Sequence, residues 1–547
     1  MKWLIVEDAL RDRKGHWLEY VSTFVRELQA LGDEVEVLCD RKAQGFVMEQ
    51  TGARPVLPES IWHRMGDGAG ALKRYLRVPG HAVATFFAMR KVFRGFNHNR
   101  ARGQVQERAT GGWPEGRGSG NERVKGHRRF SHGGTADTER EACKRLDKPS
   151  GAAFSNPSTS ELAWDSENTS LTRSASEPAS LPKTSHSLPA TSSPPDWIFV
   201  PTVLVHHLLG WWLILRAGSV PEDSRVLLFF PNLPIRLDDQ GQPHWTGGPT
   251  TKLMAWLFAQ LRGEVENGKV VLGVETHAMR RALAGLIRMP VTYLPHPVEA
   301  QGETRVERRE SRASSPATSY SPPGTSAKPI VFGCYGAARW EKGSDIFQEA
   351  IRLILRAAER PMTDSGLLIA DGVPGAKALD AGRSTLVPSL LAPSSKLQAL
   401  RFCIQWVEDF QDDSVNLVSI DPWLRDHPKV EVIGRYFEGD EYERRLAQTD
   451  VMVLPYRKPY QLRVSRVVIE AMLNGMPVIA TRGTTLFEQA EEYGEVLGCK
   501  EGDAESLAEA MLEVAERFEV LRASAEEKVN AAAESFSVGY FRKLISK

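Results

Sequence analysis

The sequence is poor in cysteine and has no cluster of histidines and cysteines at the spacing of known zinc motifs. Its five cysteines are scattered without a C-x-x-C pair, which is typical of a reducing compartment and argues against a disulfide framework or a structural metal. They are Cys39, Cys143, Cys334, Cys403 and Cys499. The sequence also lacks a D-x-D pair, a G-x-x-x-x-G-K-[ST] phosphate loop and a G-x-S-x-G motif, which argues against the enzyme classes that depend on them.

Net charge and long apolar runs are missing as well. The 69 Lys and Arg residues balance the 69 Asp and Glu residues, so composition gives no reason to expect a nucleic-acid partner. The longest apolar run, 203–215, holds two histidines and is shorter than the roughly 20 residues of a spanning helix. The N-terminal segment turns charged after one strand, unlike a signal peptide. We expect a cytoplasmic protein, with peripheral association at the inner face of a membrane as a further option.

Two segments have compositions that are not typical of a folded core. Residues 97–195 are rich in Gly and Arg and then in Ser, Pro and Thr. Ordering such a chain costs about 1–2 kcal/mol per residue, with little apolar surface to bury in return. We interpret this segment as a disordered insertion, either without a function of its own or with a docking role. The segment 299–328 is predicted to be a flexible linker between domains.

The remaining sequence alternates short β-rich runs with amphipathic helical patterns, as in "KWLIVED" followed by "HWLEYVSTFVRELQALG". Alternation of this kind predicts parallel sheets with crossover helices. We therefore expect two facing Rossmann-like, doubly wound α/β domains with a central cleft. The first comprises 1–96 plus 196–298, and the second comprises 329–530. Residues 531–547 are predicted to form a C-terminal helix that can cross back to the first domain.

Two predictions concern the segment after the first helix of the second domain. "GLLIADG" at 366–372 has the composition of a buried strand, and the apolar spacing of "SSKLQALRFCIQWVEDF" at 394–410 predicts a long helix. The later runs "KVEVIGRY", "DVMVLPY" and "MPVIAT" predict further strands of the same sheet.

Basic residues stand at two strand-to-helix turns of the second domain. The stretch "FGCYGAARWEKGSDIF" runs from a strand through Gly336 to Arg339 and Lys342, and then into a helix. Ligands bind at the carboxyl ends of parallel strands, against helix N-termini, so these cations are placed to hold a phosphate or diphosphate. The alternative is a solvated turn of charged residues on the surface.

The second basic turn precedes the stretch "RVVIEAMLNGMPVIAT". A loop after Tyr456 carries Arg463, and Ser465 fits as the N-cap of the next helix. Arg466 and Glu470 are spaced by four and share the polar stripe of a helix that is apolar on its other faces. Such a helix is mostly buried, so we expect its polar stripe to face the cleft. The alternative is an ordinary i,i+4 ion pair.

The same stretch resembles the donor-binding signature of GT-B glycosyltransferases, in particular the retaining, sugar-nucleotide-dependent enzymes of family 4 (group 1). "RWEKGSDIFQEAI" is similar to that family's turn at the donor diphosphate, and "PVTYLPHPVE" resembles the end of its first domain. The resemblance implies that Glu470 binds the ribose hydroxyls, because a carboxylate offers two acceptor oxygens to a vicinal diol. It implies the catalytic cations Arg339 and Lys342, and a donor-binding set of Gly336, Tyr456, Arg463, Ser465, Arg466, Val467 and Glu470.

At two positions the chain departs from the family pattern. Where the family has a sugar-contacting glutamate, eight residues before Glu470, this chain has Leu462. Where an arginine usually stands five residues before Lys342, it has Ala337, and Arg339 is the substitute that the sequence offers. These departures leave open which sugar is bound.

Candidate acceptor-side residues lie in the first domain. Gly15 and His16 follow the first strand, where a glycine permits a close approach to a substrate and a histidine can contact a phosphate or an acceptor hydroxyl. His206 stands beside His207 in an apolar helix with two tryptophans. It is either a packing residue or part of the acceptor surface.

The expected function is that of a hexosyltransferase-like glycosyltransferase that moves a sugar from a nucleotide diphosphate to a glycan, lipid-linked or small-molecule acceptor. The resemblance implies a retaining reaction. Because there is no D-x-D pair, the basic residues are expected to act in place of a metal, and no metal or cofactor besides the sugar nucleotide is expected. The alternatives are a non-catalytic sugar-nucleotide or glycan-binding protein on the same fold, and a scaffold that recruits partners through 97–195.

Overall fold

The structure is a computed structural model that describes residues 1–12, 17–61, 71–110, 193–298, 329–359, 399–438 and 440–546. Within 71–110, side chains are described for 77–96 alone. The predicted linker 299–328 and the predicted strand at 366–372 lie outside the described residues.

The first domain is built on a parallel sheet of seven strands. The strands of the whole domain are β1 (Lys2–Glu7), β2 (Glu34–Asp40), β3 (Arg54–Leu57), β4 (Trp197–Val200), β5 (Arg225–Phe230), β6 (Ile235–Leu237), β7 (Pro243–Trp245), β8 (Val270–Val274) and β9 (Thr292–Tyr293). The sheet order is β3-β2-β1-β4-β5-β8-β9, and β6 and β7 form a separate antiparallel pair. The helices are α1 (Trp17–Ala30), α2 (Gly45–Thr51), α3 (Ala71–Thr110), α4 (Val205–Arg216), α5 (Pro249–Glu266) and α6 (His277–Ile287).

The second domain repeats this plan on a six-stranded parallel sheet. The strands of the whole domain are β10 (Ile330–Cys334), β11 (Leu400–Gln405), β12 (Phe410–Gln411), β13 (Leu417–Val418), β14 (Val430–Ile433), β15 (Val451–Leu454), β16 (Val478–Thr481) and β17 (Val496–Cys499). The sheet order is β14-β11-β10-β15-β16-β17, with β12 and β13 as an antiparallel pair. The helices are α7 (Ser344–Glu359), α8 (Pro422–Asp426), α9 (Glu441–Gln448), α10 (Arg466–Leu473), α11 (Thr485–Tyr493), α12 (Ala504–Ser535) and α13 (Val538–Ile545), with 3₁₀ turns at Trp340–Lys342 and Lys458–Tyr460.

These two sheets confirm the prediction of two Rossmann-like, doubly wound α/β domains. The central strands β15 ("VMVL") and β16 ("VIAT") are buried along their whole length and apolar except for Thr481. Continuous apolar strands are expected where helices cover both faces of a parallel sheet. None of the described helices combines the length and the apolar character that crossing a bilayer requires.

The prediction of a long helix at 394–410 is wrong. Residues Leu400–Gln405 form β11, which pairs in parallel with β10 on one side and β14 on the other. Five of its six residues are buried, with covered faces on both sides of the sheet. A short run that is apolar on both faces lacks the alternation of apolar and polar residues that would distinguish a buried strand from a buried helix. Pairing with β10 and β14 therefore determines that this run is a strand.

Helix α3 extends the first domain toward the insertion. Residues 97–110, which composition placed in the disordered segment, continue the backbone of this helix to Thr110, and residues 111–192 lie outside the described part of the chain. The helix packs closely on α4, because a side chain at Gly210 would stand 3.3 Å from the carbonyl oxygen of Ala82. The rings of Phe93 and Trp211 add to the same contact.

The C-terminal helix α13 packs against the first domain, although it follows the second domain in the chain. The ring of Phe541 lies 4.9 Å from Phe24 of α1 and 5.4 Å from Phe199 of β4, measured between ring centroids. Arg542 donates hydrogen bonds of 2.6 and 2.9 Å to the carboxylate of Asp33. Burial alone would raise the pKa of Asp33, but this arginine, the N-terminal ammonium and Trp3 hold that pKa well below its ordinary value.

We predict that Phe541→Ala lowers the free energy of unfolding by about 3–5 kcal/mol, because it removes a fully buried ring from the first domain's core. The matched control is Phe87→Ala on α3, whose ring is 60% exposed and whose loss should cost less than about 1 kcal/mol. Chemical denaturation of both variants checks the pair. Equal losses in the two variants would mean that α13 does not dock on the first domain in solution.

Candidate functional site

The carboxyl edges of the two sheets meet at the candidate site. Arg466, at the start of α10, ion-pairs with Glu19, at the start of α1. The hydroxyl of Thr276, the N-cap of α6, donates to the backbone carbonyl of Leu462 at 2.9 Å. Helices α1, α6 and α10 directly follow strands β1, β8 and β15 along the chain. This is the edge at which doubly wound folds bind ligands.

The side chain of Lys342 folds back onto the turn that follows β10, where a glycine leaves space for it. Gly336 has φ +99°, and a Cβ atom there would stand 2.4 Å from the Lys342 Nζ atom. The backbone N–H of Gly336 donates to Gln405 Oε1 at 2.7 Å, which ties this turn to the end of β11. The sequence placed Gly336 and Lys342 at one turn, and the structure brings them into direct contact.

The ammonium of Lys342 has no hydrogen-bond or ion-pair partner among the residues that the structure describes. Its nearest aromatic neighbour is Tyr456, whose ring centroid lies 5.9 Å from Nζ. Burial, together with the charge of Arg339, lowers the pKa of Lys342. A half-buried cation without a counter-ion attracts an anion strongly, because water screens it less than it screens a surface lysine.

Two other cations of these turns, Arg457 and Arg339, lie beside carboxylates. Arg457 is buried and donates to both carboxylate oxygens of Asp345, at 2.9 and 2.7 Å, so it anchors the first turn of α7. Arg339 is more exposed and lies 3.8 Å from Glu341. The alternative of a solvated surface turn therefore describes Arg339 better than Lys342.

Tyr456 links the N-terminus of α10 to this cation. Ser465 is the N-cap, as predicted, but its side chain makes no capping hydrogen bond. The buried ring of Tyr456 lies between Lys342 and Ser465. Thr485 holds the preceding loop by donating its hydroxyl to the carbonyl oxygens of Tyr460, at 3.0 Å, and Arg463. The first N–H groups of a helix have no partner within it, so they and Lys342 can hold one anion together.

Two further members of the predicted set complete this turn. Arg463 is half-buried, and its guanidinium has no ion-pair partner among the described residues. Val467 is half-buried in the first turn of α10.

Glu470 is buried, as expected for the polar stripe of this helix, and both of its carboxylate oxygens accept hydrogen bonds. Oε1 accepts from Arg466 Nε at 2.7 Å, and Oε2 accepts from the hydroxyl of Tyr442. Burial raises the pKa of Glu470. Arg466 also pairs with Glu19 of the first domain, with one nitrogen–oxygen distance of 2.6 Å. The i,i+4 pair and the cleft-facing position, stated as alternatives from the sequence, are both present.

Leu462, where the resembling family has a carboxylate, is part of the first domain's hydrophobic core. It is 6% exposed and packs in the cluster that contains Met279, Leu283 and Leu233. Its carbonyl oxygen receives the hydrogen bond from Thr276. The residue at this position therefore joins the two domains instead of offering a carboxylate to a sugar.

Two acceptor-side candidates, Gly15 and His16, lie outside the described residues. His206 is 3% exposed, so it is a packing residue in this structure and not an exposed acceptor contact. It belongs to a buried cluster with Asp8, His81 and His207 at the end of β1.

Sequence reasoning missed this buried cluster and two partners of the candidate site. Asp8, His81 and His207 come from separate parts of the chain, and the local signals were the carboxylates Glu7 and Asp8 at the end of a buried strand and the adjacent His206 and His207. Burial and the charge of Asp8 raise the pKa of Glu7 to about 7. The contacts of Glu470 with Tyr442, and of Arg466 with Glu19, had no local sequence signal.

Comparison with known families bears on the second domain. Residues 411–517 match the family model of group 1 glycosyl transferases. The matched segment includes β15, α10 and β16, and so contains the helix that carries Ser465 and Glu470. No curated protein sequence matches the chain significantly. Membership of glycosyltransferase family 4 stays a prediction.

Several solved structures are distantly similar to the whole chain. Anabaena Alr3699/HepE, in complex with UDP and glucose, is 11% identical with a TM-score of 0.44, over 100% of this chain and 98% of that one. Sucrose-phosphate synthase from Thermosynechococcus elongatus is 12% identical with a TM-score of 0.44, over 100% and 97%. UDP-GlcNAc 2-epimerase from Neisseria meningitidis, bound to UDP-GlcNAc, is 11% identical with a TM-score of 0.41, over 100% and 98%. Similarities this low assign no activity.

We predict that Leu462→Ala lowers the free energy of unfolding by about 2–5 kcal/mol, because it empties a buried site between the domains. The control is Leu417→Ala, at a position 69% exposed. Glu19→Ala should cost no more than about 1 kcal/mol, since its pair with Arg466 is largely solvated. Chemical denaturation ranks the three. A larger loss for Glu19→Ala than for Leu462→Ala would show that the ion pair, and not Leu462, holds the domains together.

Proposed function

We propose that the protein is a glycosyltransferase that moves a sugar from a nucleoside diphosphate donor to an acceptor hydroxyl. The observation that carries this proposal is the ammonium of Lys342, which has no partner among the described residues and lies near Tyr456, the neighbour of the α10 N-cap, at the carboxyl edge of the second sheet. The match to group 1 glycosyl transferases supports it independently, because the matched segment contains α10.

In the proposed reaction the donor diphosphate lies against the Tyr456 ring and contacts both Lys342 and the first turn of α10. Negative charge develops on the diphosphate as the bond to the sugar breaks. A preorganised cation and helix N–H groups stabilise that charge without reorganising. Arg463 and Arg339 lie on the two turns that flank this position and add positive charge. Acceleration would come from this charge stabilisation and from holding donor and acceptor close together in the reacting orientation.

Glu470 is proposed to bind the ribose of the donor. Its two oxygens already accept hydrogen bonds from Arg466 and Tyr442. A carboxylate has about four lone-pair sites, so each oxygen can accept one further hydrogen bond from a vicinal diol. In this arrangement Arg466 and Tyr442 orient the carboxylate.

The finer assignments are proposals of the same kind. We propose a retaining, hexosyltransferase-like enzyme of family 4, on the resemblance of the α10 segment. We propose that it needs no metal for transfer, on the absence of a D-x-D pair and the cations at the turns. A glycan, lipid-linked or small-molecule acceptor would enter from the first domain, and a cytoplasmic location with peripheral membrane association fits such acceptors.

A second candidate function is non-catalytic binding of a sugar nucleotide. Leu462 is the observation that favours it, because a buried leucine cannot supply the carboxylate that would contact the sugar. Release of nucleoside diphosphate from a panel of UDP-, GDP-, ADP- and TDP-sugars separates the two functions. The enzyme releases it with at least one donor, whereas measurable binding without any release would favour the binding protein.

We predict that Lys342→Ala lowers the turnover number by about 10²–10³-fold, the effect of removing one preorganised charge-stabilising group. The control, Lys458→Ala, removes an exposed lysine of the neighbouring loop that pairs with Asp239, and should change turnover less than about threefold.

Because the pKa of Lys342 is lowered, activity should fall on the alkaline side as the ammonium deprotonates, and Lys342→Arg should remove this fall. Steady-state kinetics across pH tests both, and equal turnover in the two alanine variants would reject the assignment.

We predict that Glu470→Ala weakens nucleoside diphosphate binding by about 10–100-fold. This is the loss of affinity expected when hydrogen bonds to a charged group are removed. Glu488→Ala is the matched control, since it also removes an arginine-paired carboxylate, 3.1 Å from Arg281, away from α10. Calorimetric titration measures both affinities. If the two variants bind the nucleotide as tightly as the unchanged protein, Glu470 does not contact the ribose.

A further inference from the structure

A buried cluster of three histidines and one aspartate lies beneath the carboxyl edge of the first sheet. Asp8 immediately follows β1, and His206 and His207 lie in the first turn of α4. His81 comes from α3, which packs across α4. All four residues are buried, and the proposed donor site uses none of them.

The four side chains converge on one point. Asp8 Oδ2 lies 2.9 Å from His81 Nε2 and 2.9 Å from His207 Nε2. The ring of His206 lies 3.9 Å from that of His207 and 4.7 Å from that of His81, between centroids. One ligand atom from each residue lies within 4.8 Å of all the others.

Several polar atoms of this cluster have no hydrogen-bond partner of good geometry. They are both carboxylate oxygens of Asp8, Nε2 of His81 and Nε2 of His206. His206 Nε2 has no close ion-pair contact either within the described residues. Buried polar atoms are nearly always satisfied by protein, water or an ion. A single carboxylate can orient one or two imidazoles, so a third buried histidine with an unpartnered nitrogen calls for another partner.

We propose that Asp8, His81, His206 and His207 bind a divalent transition-metal ion, with Zn²⁺ as the best match. Three imidazoles and one carboxylate are ligands that Zn²⁺ prefers, and four protein ligands make a closed tetrahedral site. With ligand distances of about 2.0–2.1 Å, neighbouring ligand atoms of such a site are roughly 3.3 Å apart. The separations in the cluster, from 2.9 to 4.8 Å, span that value.

The imidazoles differ in what their Nδ1 atoms contact. Nδ1 of His207 accepts a hydrogen bond of 3.2 Å from the backbone N–H of Leu204, so metal binding through Nε2 requires a change of tautomer that breaks this bond. Nδ1 of His81 lies 3.4 Å from the hydroxyl of Thr85, which can accept from Nδ1–H when Nε2 binds the metal. Outer partners of this kind fix the orientation of ligating histidines.

The ligands define a structural role for this metal. They come from the end of β1, from α3 and from α4, so an ion at their centre fastens both helices to the sheet. A closed site with four protein ligands leaves no open position for a substrate. The metal would therefore stabilise the first domain and take no part in sugar transfer.

The test uses the full chain without an affinity tag. Metal content is measured by plasma mass spectrometry after purification. The metal is then removed with a chelator, and Co²⁺ is titrated back while visible absorption and the melting temperature are recorded. We expect about one equivalent of Zn²⁺ or Co²⁺ per chain, Co²⁺ bands typical of a four-coordinate site, and a rise in the melting temperature on loading.

Two variants and one control locate the ion. His206→Ala and Asp8→Asn should each weaken Co²⁺ binding by at least about tenfold, while His244→Ala, at an exposed histidine of β7, should bind as the unchanged chain does. Circular dichroism verifies that each variant is folded. If a variant fails to fold, the melting temperature of the unchanged chain with and without Co²⁺ decides alone.

The proposal is overturned if the unchanged chain contains no metal and neither its absorption nor its melting temperature responds to Co²⁺ or Zn²⁺. It is equally overturned if the response survives in both variants, or is lost in His244→Ala, because the ion would then bind elsewhere. In those cases the cluster is a metal-free polar network.

Discussion

The contact between the carboxyl edges of the two sheets is the constraint on which the candidate site depends. Leu462 leaves the second domain to pack in the core of the first, and Thr276 binds its backbone carbonyl. Helix α13 returns to the first domain and places Phe541 between α1 and β4. The insertion of Leu462 and its bond to Thr276 hold the loop after β15 in place. The positions of Arg463, Ser465 and the first turn of α10 follow from that loop.

Charge is distributed unevenly along this edge. Arg457 and Arg466 each pair with carboxylates and serve to position the turns, whereas Lys342 is half-buried without such a pair. Removing a cation from water is unfavourable unless an anion compensates it. In a site that binds a diphosphate transiently, the buried cation is left uncompensated whenever no diphosphate is bound. Lys342 is therefore the proposed binding group, and Arg457 and Arg466 are its supports.

Much of this arrangement could be predicted from the sequence. Alternating strands and helices gave two parallel sheets, and the N-cap at Ser465 and the burial of Glu470 follow from spacing within one helix. The failures have a common physical origin in contacts between distant parts of the chain. The pairing of β11 with its neighbours overrode the helical spacing of 394–410. The insertion of Leu462 into the other domain, the Arg466–Glu19 pair and the convergence of His81 with Asp8 and His207 have no local pattern.

The most direct test of the central claim is to map where a nucleotide binds. A photoreactive nucleoside diphosphate is crosslinked to the full chain, and the labelled peptides are identified by mass spectrometry, with an excess of unlabelled nucleotide as competitor. The account predicts competed labelling on peptides from 335–342 and 456–470, which meet at the edge of the second sheet. Competed labelling confined to other peptides, or no competed labelling with any base, would contradict it.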